Sequence, residues 1–223
     1  MFQKVLRDNA VVSLFDGSTA VNLAALGAQL PQIARDPRAG DDLDTNGREG
    51  RLALACSLGA PLPAFDGSAL QLHNRGVETV VQSAPRTLER IREIARDALE
   101  SDVRDAIVML AGHVEADVRA VREGIRTTIG SSGRVDMSAA TFDASAAYCR
   151  LFAALLCMDV WLGNRADLGH FFAGGAWLAL ALNRLARDPV TLPPRLEECV
   201  AAELRRRCEE GEMFGIVPVA LPA

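Results

Sequence analysis

The stretch VRDAIVMLAGHVEADVRAVREGI, residues 103–125, decides the fold. Val103, Ile107, Leu110, Val114, Val118, Val121 and Ile125 recur at spacings of four and three. That rhythm lines one face of a 3.6-residue helix and predicts the cleanest amphipathic helix in the chain. Upstream, Ser83 and Pro85 suit a helix start, and Leu88, Ile91, Ala95 and Leu99 form a preceding stripe. Downstream, the run Gly130 to Gly133 is predicted to end the helix. A helix from about Ala139 to Leu162 follows, apolar nearly all round through Phe152, Leu155, Leu156, Met158 and Trp161, so it is expected to be central. Gly163-Asn164 reads as a tight stop. The next helix, about Leu168 to Arg187, carries Phe171, Phe172, Trp177, Leu178 and Leu182, and the short link predicts an antiparallel pair. Gly174-Gly175 within it reads as a place of close helix packing. Asp188-Pro189 and Pro193-Pro194 set off a last helix, about Arg195 to Glu210, and the tail from Met213 to Ala223 reads as an extended strap.

The first 35 residues read as a short helix, a turn at Asp16-Gly17, and a second helix through Val21, Leu23, Ala24, Leu26 and Leu30 that Pro31 disturbs. Residues 36–82 form an irregular linker, punctuated by Asp36-Pro37, Gly40, Asn46-Gly47, Gly50, Pro61, Pro63 and Gly67, with one or two helical turns between Arg51 and Leu58. Residues 83–223 form a helical bundle. No segment of any length has strand periodicity, so the expected class is all-α.

Composition narrows the function classes. A net charge of −5 gives no basic face for nucleic acid. Lys4 is the only lysine, and the arginines are scattered rather than clustered. The five cysteines, Cys56, Cys149, Cys157, Cys199 and Cys208, have no Cys-x-x-Cys pairing, which reads as reduced and intracellular. No secretory signal opens the sequence. The longest apolar stretch, about Leu168 to Leu182, contains His170 and two glycines and is shorter than the roughly 18 residues a membrane span needs. The expectation is a cytoplasmic protein with no transmembrane segment and no nucleic-acid partner.

The stretch that carries chemistry runs from Leu6 to Asn22. Arg7-Asp8 is followed, eight residues after the aspartate, by Asp16 in the turn Phe15-Asp16-Gly17-Ser18, and then by a helix. A carboxylate held between an aromatic side chain and a glycine suits proton abstraction from a carbon acid. The aromatic wall excludes water, the glycine allows substrate close to the backbone, and desolvation makes the carboxylate a stronger base.

This stretch resembles the signature near the end of the catalytic core of the acyl-CoA dehydrogenase family, in which an Arg-Asp pair precedes an aromatic–Glu–Gly–Thr/Ser turn at the same spacing. The similarity is ungapped over about 30 residues. It implies that residues 1–35 are the end of the dehydrogenase catalytic helical domain and that Asp16 is the proton acceptor. Gly17 is implied at the substrate, with Ser18 and Asn22 at an FAD cofactor. The remaining roughly 190 residues resemble the helical extension of larger, very-long-chain-type members. The implied whole is a flavoprotein oxidoreductase of fatty acid metabolism that desaturates an acyl-CoA thioester. This chain would be the C-terminal part of its fold, inactive when isolated. The rest of the dehydrogenase or a partner subunit would complete the pocket, in a homo-oligomer. Two residues depart from the pattern: the base is Asp, one methylene shorter than the usual Glu, and Ala20 stands where many members have a polar residue.

Other features read more plainly. A second Phe65-Asp66-Gly67-Ser68 lacks the upstream Arg-Asp and reads as a turn. His73, His113 and His170 have no metal-ligand spacing, and Asp41-Asp42-Leu43-Asp44 lacks a full calcium-loop series, so no metal is expected. Tyr148, Trp161 and Trp177 read as core, and Arg205-Arg206-Arg207 with Glu209-Glu210 as a solvated mixed-charge face. The alternative to an enzyme is a non-catalytic helical interaction or oligomerisation module built from residue 83 onward. A weaker one is peripheral membrane contact through Phe171-Phe172 or the apolar tail.

Overall fold

The computed structural model describes residues 19–33, 45–59, 61, 64, 67, 78–128, 136, 138–213 and 219–220. Among the described residues the class is all-α, as the periodicity predicts: eight helices and a single antiparallel pairing of two-residue strands. The chain divides into two compact units, and the fourth and fifth helices contribute residues to both.

The first unit contains α1 (Thr19–Ile33), the end of α4 (Ser101–Thr128) from Arg119 and the start of α5 (Ala139–Asn164) to Cys149. α1 begins directly after the Asp16-Gly17-Ser18 triplet and runs through Pro31 to Ile33 instead of stopping at the proline. Pro31 sits in the last turn, where its missing N–H costs one hydrogen bond and the helix has few residues left to lose. Gly27 and Leu30 are its buried positions. Val121, Ile125, Ala144 and Tyr148 are also buried in this unit. Its buried hydroxyls are satisfied locally: Thr128 Oγ1 donates to the Ile125 carbonyl at 2.7 Å, Ser145 Oγ to the Thr141 carbonyl at 2.9 Å, and Thr141 Oγ1 to the Asp136 carbonyl. These bonds follow from the rule that buried polar groups find partners.

The second unit opens with α2 (Thr45–Cys56), a helix where the sequence reads as irregular linker with a turn or two after Arg51. Gly47 and Gly50 lower its intrinsic propensity, but a tertiary anchor at its C-terminal end outweighs that. α3 (Ala84–Ala98) follows, with Pro85 in its first turn. Ser83 makes no side-chain capping bond. Instead the buried Glu78 carboxylate accepts from Val80 N at 2.7 Å, Val81 N at 2.8 Å and Gln82 N at 3.3 Å, and so orders the turn leading into the helix. Leu88, Ile91 and Ala95 are buried as the stripe predicts. All seven stripe residues of α4 are buried too.

α5 is the helix expected to be central, and Leu155, Met158 and Trp161 are fully buried. It is also the one described helix long and apolar enough to cross a membrane by length and composition alone. Its fully exposed positions are Ala139, Ala140, Asp143, Cys149, Arg150 and Gly163, none of them a large apolar residue. Phe142, Phe152, Leu156, Val160 and Leu162 are half-buried.

The predicted helix from Leu168 to Arg187 is two helices, α6 (Gly169–Ala173) and α7 (Ala176–Leu185). The break falls at Gly174-Gly175. Gly175 has a φ of 74°, and a Cβ there would lie 3.1 Å from Ile107 Cδ1. Left-handed backbone and close approach to α4 both demand glycine, so the pair interrupts the helix rather than merely easing packing within it. The Nε1–H groups of Trp161 and Trp177 both donate to the Phe172 carbonyl at 3.1 Å, satisfying a carbonyl at that break. Asn183 bonds both ways with the Val190 backbone, at 2.8 Å each, and ties α7 to the segment leading into α8 (Pro194–Glu209). The tail is not simply a strap: β1 (Glu212–Met213) pairs antiparallel with β2 (Val219–Ala220).

The anchor for α2 is Asn164, the last residue of α5 and almost completely buried. Its Nδ2 donates to the Cys56 carbonyl at 2.7 Å and the Val160 carbonyl at 2.6 Å, and its Oδ1 accepts from Leu58 N at 2.7 Å. Replacing it by alanine leaves several main-chain groups unpaired. Asn164→Ala is expected to lower unfolding free energy by about 2–4 kcal/mol in urea titrations. A loss under about 0.5 kcal/mol, the range of an ordinary surface change, would show that α2 does not depend on this amide.

Candidate functional site

A cleft with a volume of about 670 Å³ lies in the second unit, between α2, the start of α3 and the end of α5. Leu52, Ala53 and Leu162 give it apolar wall. The amphipathic period of α3 places Ser83, Arg86, Thr87 and Arg90 along its other side. Cys56, Ser57 and Asp159 add polar groups to the lining. Ligand sites commonly take this form, an apolar recess with a few convergent polar groups.

Asp159 is the chemically distinctive group. Its Oδ1 accepts from Thr87 Oγ1 at 2.8 Å, while its Oδ2 is buried with no hydrogen-bond partner. Burial raises its pKa above the ordinary aspartate value, and the Thr87 bond and the Arg90 charge only partly oppose that. Burial, with a smaller contribution from the Asp159 charge, pushes the Cys56 thiol up to about 11, so the thiol stays protonated and is a poor nucleophile near neutrality. Arg86 and Arg90 are exposed at the cleft and lie one helical turn apart.

The residues implicated by the sequence resemblance lie elsewhere. Asp16, Gly17 and Ser18 fall outside the described residues. Asn22 is exposed in the first turn of α1. His73, the Asp41–Asp44 run and the Gly130–Gly133 run also lie outside the described residues, as does the second Phe-Asp-Gly-Ser apart from exposed Gly67. Among the described residues no cluster of three His, Cys, Asp or Glu side chains could hold a metal.

Tyr148 and Trp161 are core residues, and Trp177 is half-buried. The arginine run departs from its expected solvated role. Arg206 is exposed and meets Glu203, Glu210 and Glu212, but Arg207 is buried, with Nε 2.6 Å from Glu203 and its guanidinium 5.9 Å from the Phe171 ring centroid. An arginine so held anchors α8 through packing as well as charge. Phe172 is buried and Phe171 half-buried, so neither is presented for insertion into lipid.

The cleft itself escaped sequence reasoning. Its available signal was Asp159, a lone acid in the apolar run Leu155 to Leu162. Arg86 and Arg90 look like ordinary surface charges until α2 is placed opposite them. Comparison of the chain with protein-family models, curated proteins and solved structures finds no match.

The raised pKa of Asp159 has a defined consequence for stability. The folded state keeps the proton over a range where the unfolded chain has released it. The associated stabilisation is complete below the unfolded value of about 3.9 and is lost as pH rises through the folded value. Asp159→Asn removes this dependence. Its stability relative to the parent is therefore expected to be more favourable at about pH 7 than at about pH 4. Denaturant titrations giving the opposite trend would mean that the carboxylate, not the acid, is the form the fold prefers.

Proposed function

We propose that this chain is the C-terminal, all-helical portion of a flavin-dependent acyl-CoA dehydrogenase, acting in α,β-dehydrogenation of an acyl-CoA thioester and inactive as an isolated chain. The observation that carries the reading joins sequence to structure. The ungapped Arg7-Asp8 to Phe15-Asp16-Gly17-Ser18 spacing is followed at once by the start of α1 at Thr19. α1 has no charged side chain in its 15 residues, yet Thr19 to Asn22, Ala25, Ala28 and Gln29 are exposed. A neutral, exposed helix suits a surface that another lobe of the polypeptide, or a partner subunit in a homo-oligomer, covers.

In this reading the Asp16 carboxylate takes the proton α to the thioester carbonyl. Phe15 keeps water from it, and Gly17 leaves room for the substrate beside the backbone. FAD, when bound, supplies the electron sink that accepts the β-hydrogen as hydride. The uncharged polar residues Ser18 and Asn22 suit contact with a cofactor through hydrogen bonds rather than charge. The shorter reach of Asp compared with Glu requires the backbone of the turn to come closer to the substrate.

In the complete enzyme, reconstituted with whatever sequence lies upstream or with its partner subunit, Asp16→Asn is expected to abolish turnover while leaving the flavin bound. Loss of one general base commonly costs at least a hundredfold, so a rate within about twofold of the parent would remove Asp16 as the base. If no flavin associates with any longer form of the polypeptide or its complex, the chain is better described as a non-catalytic helical interaction module.

A further inference from the structure

The cleft between α2, α3 and α5 is not accounted for by the dehydrogenase reading, which rests on Asp16 and α1. Its lining is chemically asymmetric. Arg86 and Arg90 put two guanidiniums one turn apart on α3, with the Thr87 hydroxyl on the same helix and the Ser83 hydroxyl just before it. Leu52 on α2 and Leu162 on α5 supply aliphatic surface. Asp159 is the only carboxylate among the lining residues. Its partnerless Oδ2 is an anomaly, because buried polar atoms in folded proteins are nearly always bonded.

From this arrangement we infer that the cleft is a binding site for an amphiphilic organic anion, with its phosphate or carboxylate group against Arg86 and Arg90 and its aliphatic part against Leu52 and Leu162, and that Asp159 gates it by charge. Guanidinium groups suit both anionic groups, because their forked donors match the geometry of two oxygens. Phosphate and carboxylate ligands share that recognition chemistry, and the volume of about 670 Å³ accommodates a head group with a medium-length chain.

The gate follows from what faces Asp159. From α3 come Thr87, as a hydrogen-bond donor, and the Arg90 charge; from α2 comes the Cys56 thiol. An ionised Asp159 offsets part of the arginine charge and repels an arriving anion. The protonated acid does neither. Anion binding therefore takes up a proton at Asp159, and affinity increases as pH falls through its titration. The inference is independent of the flavoenzyme reading, since it uses no residue before α2.

Calorimetric titration of this chain tests it. Octyl phosphate and octanoate distinguish the two head groups, and inorganic phosphate tests the head group without a chain. At least one octyl ligand should bind more tightly than inorganic phosphate. Arg90→Ala should weaken that binding by roughly tenfold, the scale of one charge-assisted hydrogen bond. Octanesulfonate, whose own charge is constant, should bind more tightly to the parent as pH is lowered through the titration of Asp159. Asp159→Asn should bind it at least as well as the parent does at the low end of that titration, with the pH dependence gone. Circular dichroism of each variant checks that the helices are intact. Three results each overturn the proposal: no binding of either octyl ligand, binding that Arg90→Ala leaves unchanged, or a pH dependence that survives in Asp159→Asn.

Discussion

The Asn164 amide is the constraint on which the second unit turns. One side chain at the end of α5 accepts from Leu58 N and donates to the Cys56 and Val160 carbonyls. Helix ends carry unpaired main-chain groups, and a buried end needs an external partner. Asn164 is that partner for α2. A helix with two glycines in its first half is held by this contact rather than by its own propensity.

The same contact makes the cleft. Fixing Cys56 against the end of α5 sets Leu52 and Ala53 along one side, while the Thr87 bond to Asp159 sets α3 along another. The two anchors leave a recess whose walls differ in kind, aliphatic from α2 and cationic from α3. Nothing in the core packing requires Asp159 to be an acid: the neighbouring Met158 and Trp161 complete the buried face of α5 without it. A carboxyl group with one oxygen bonded and one orphaned is costly to keep, and such cost is commonly borne at functional sites.

The long helices were legible because their apolar positions repeat. Every member of the Val103–Ile125 stripe is buried, and in the apolar α5 Leu155, Met158 and Trp161 are fully buried while Phe152 and Leu156 are half-buried. The sequence misled where tertiary contacts overrode local signals. α2 reads as linker because its glycines are visible and its Asn164 anchor, more than a hundred residues away, is not. Gly174-Gly175 reads as a soft spot in one helix, because its encounter with Ile107 on α4 is equally invisible along the chain. Arg207 reads as solvated because only the fold brings Phe171 over its guanidinium. Of the residues that the spacing singles out, Asp16, Gly17 and Ser18 lie outside the described residues, and Asn22 is exposed in the first turn of α1. The Asp159 cleft could not be picked out from spacing, since its residues come from three separate helices.

The central claim is that this helical chain completes a pocket in which an acyl-CoA thioester loses two hydrogens to a flavin. It is tested most directly by anaerobic titration of the complete flavin-loaded polypeptide, or of the assembled complex, with a saturated acyl-CoA while the visible flavin absorbance is followed. The account predicts bleaching of the flavin with stoichiometric appearance of the enoyl-CoA. A flavin that stays oxidised across saturated acyl-CoAs of every chain length, in a preparation that a chemical reductant still bleaches, would contradict it.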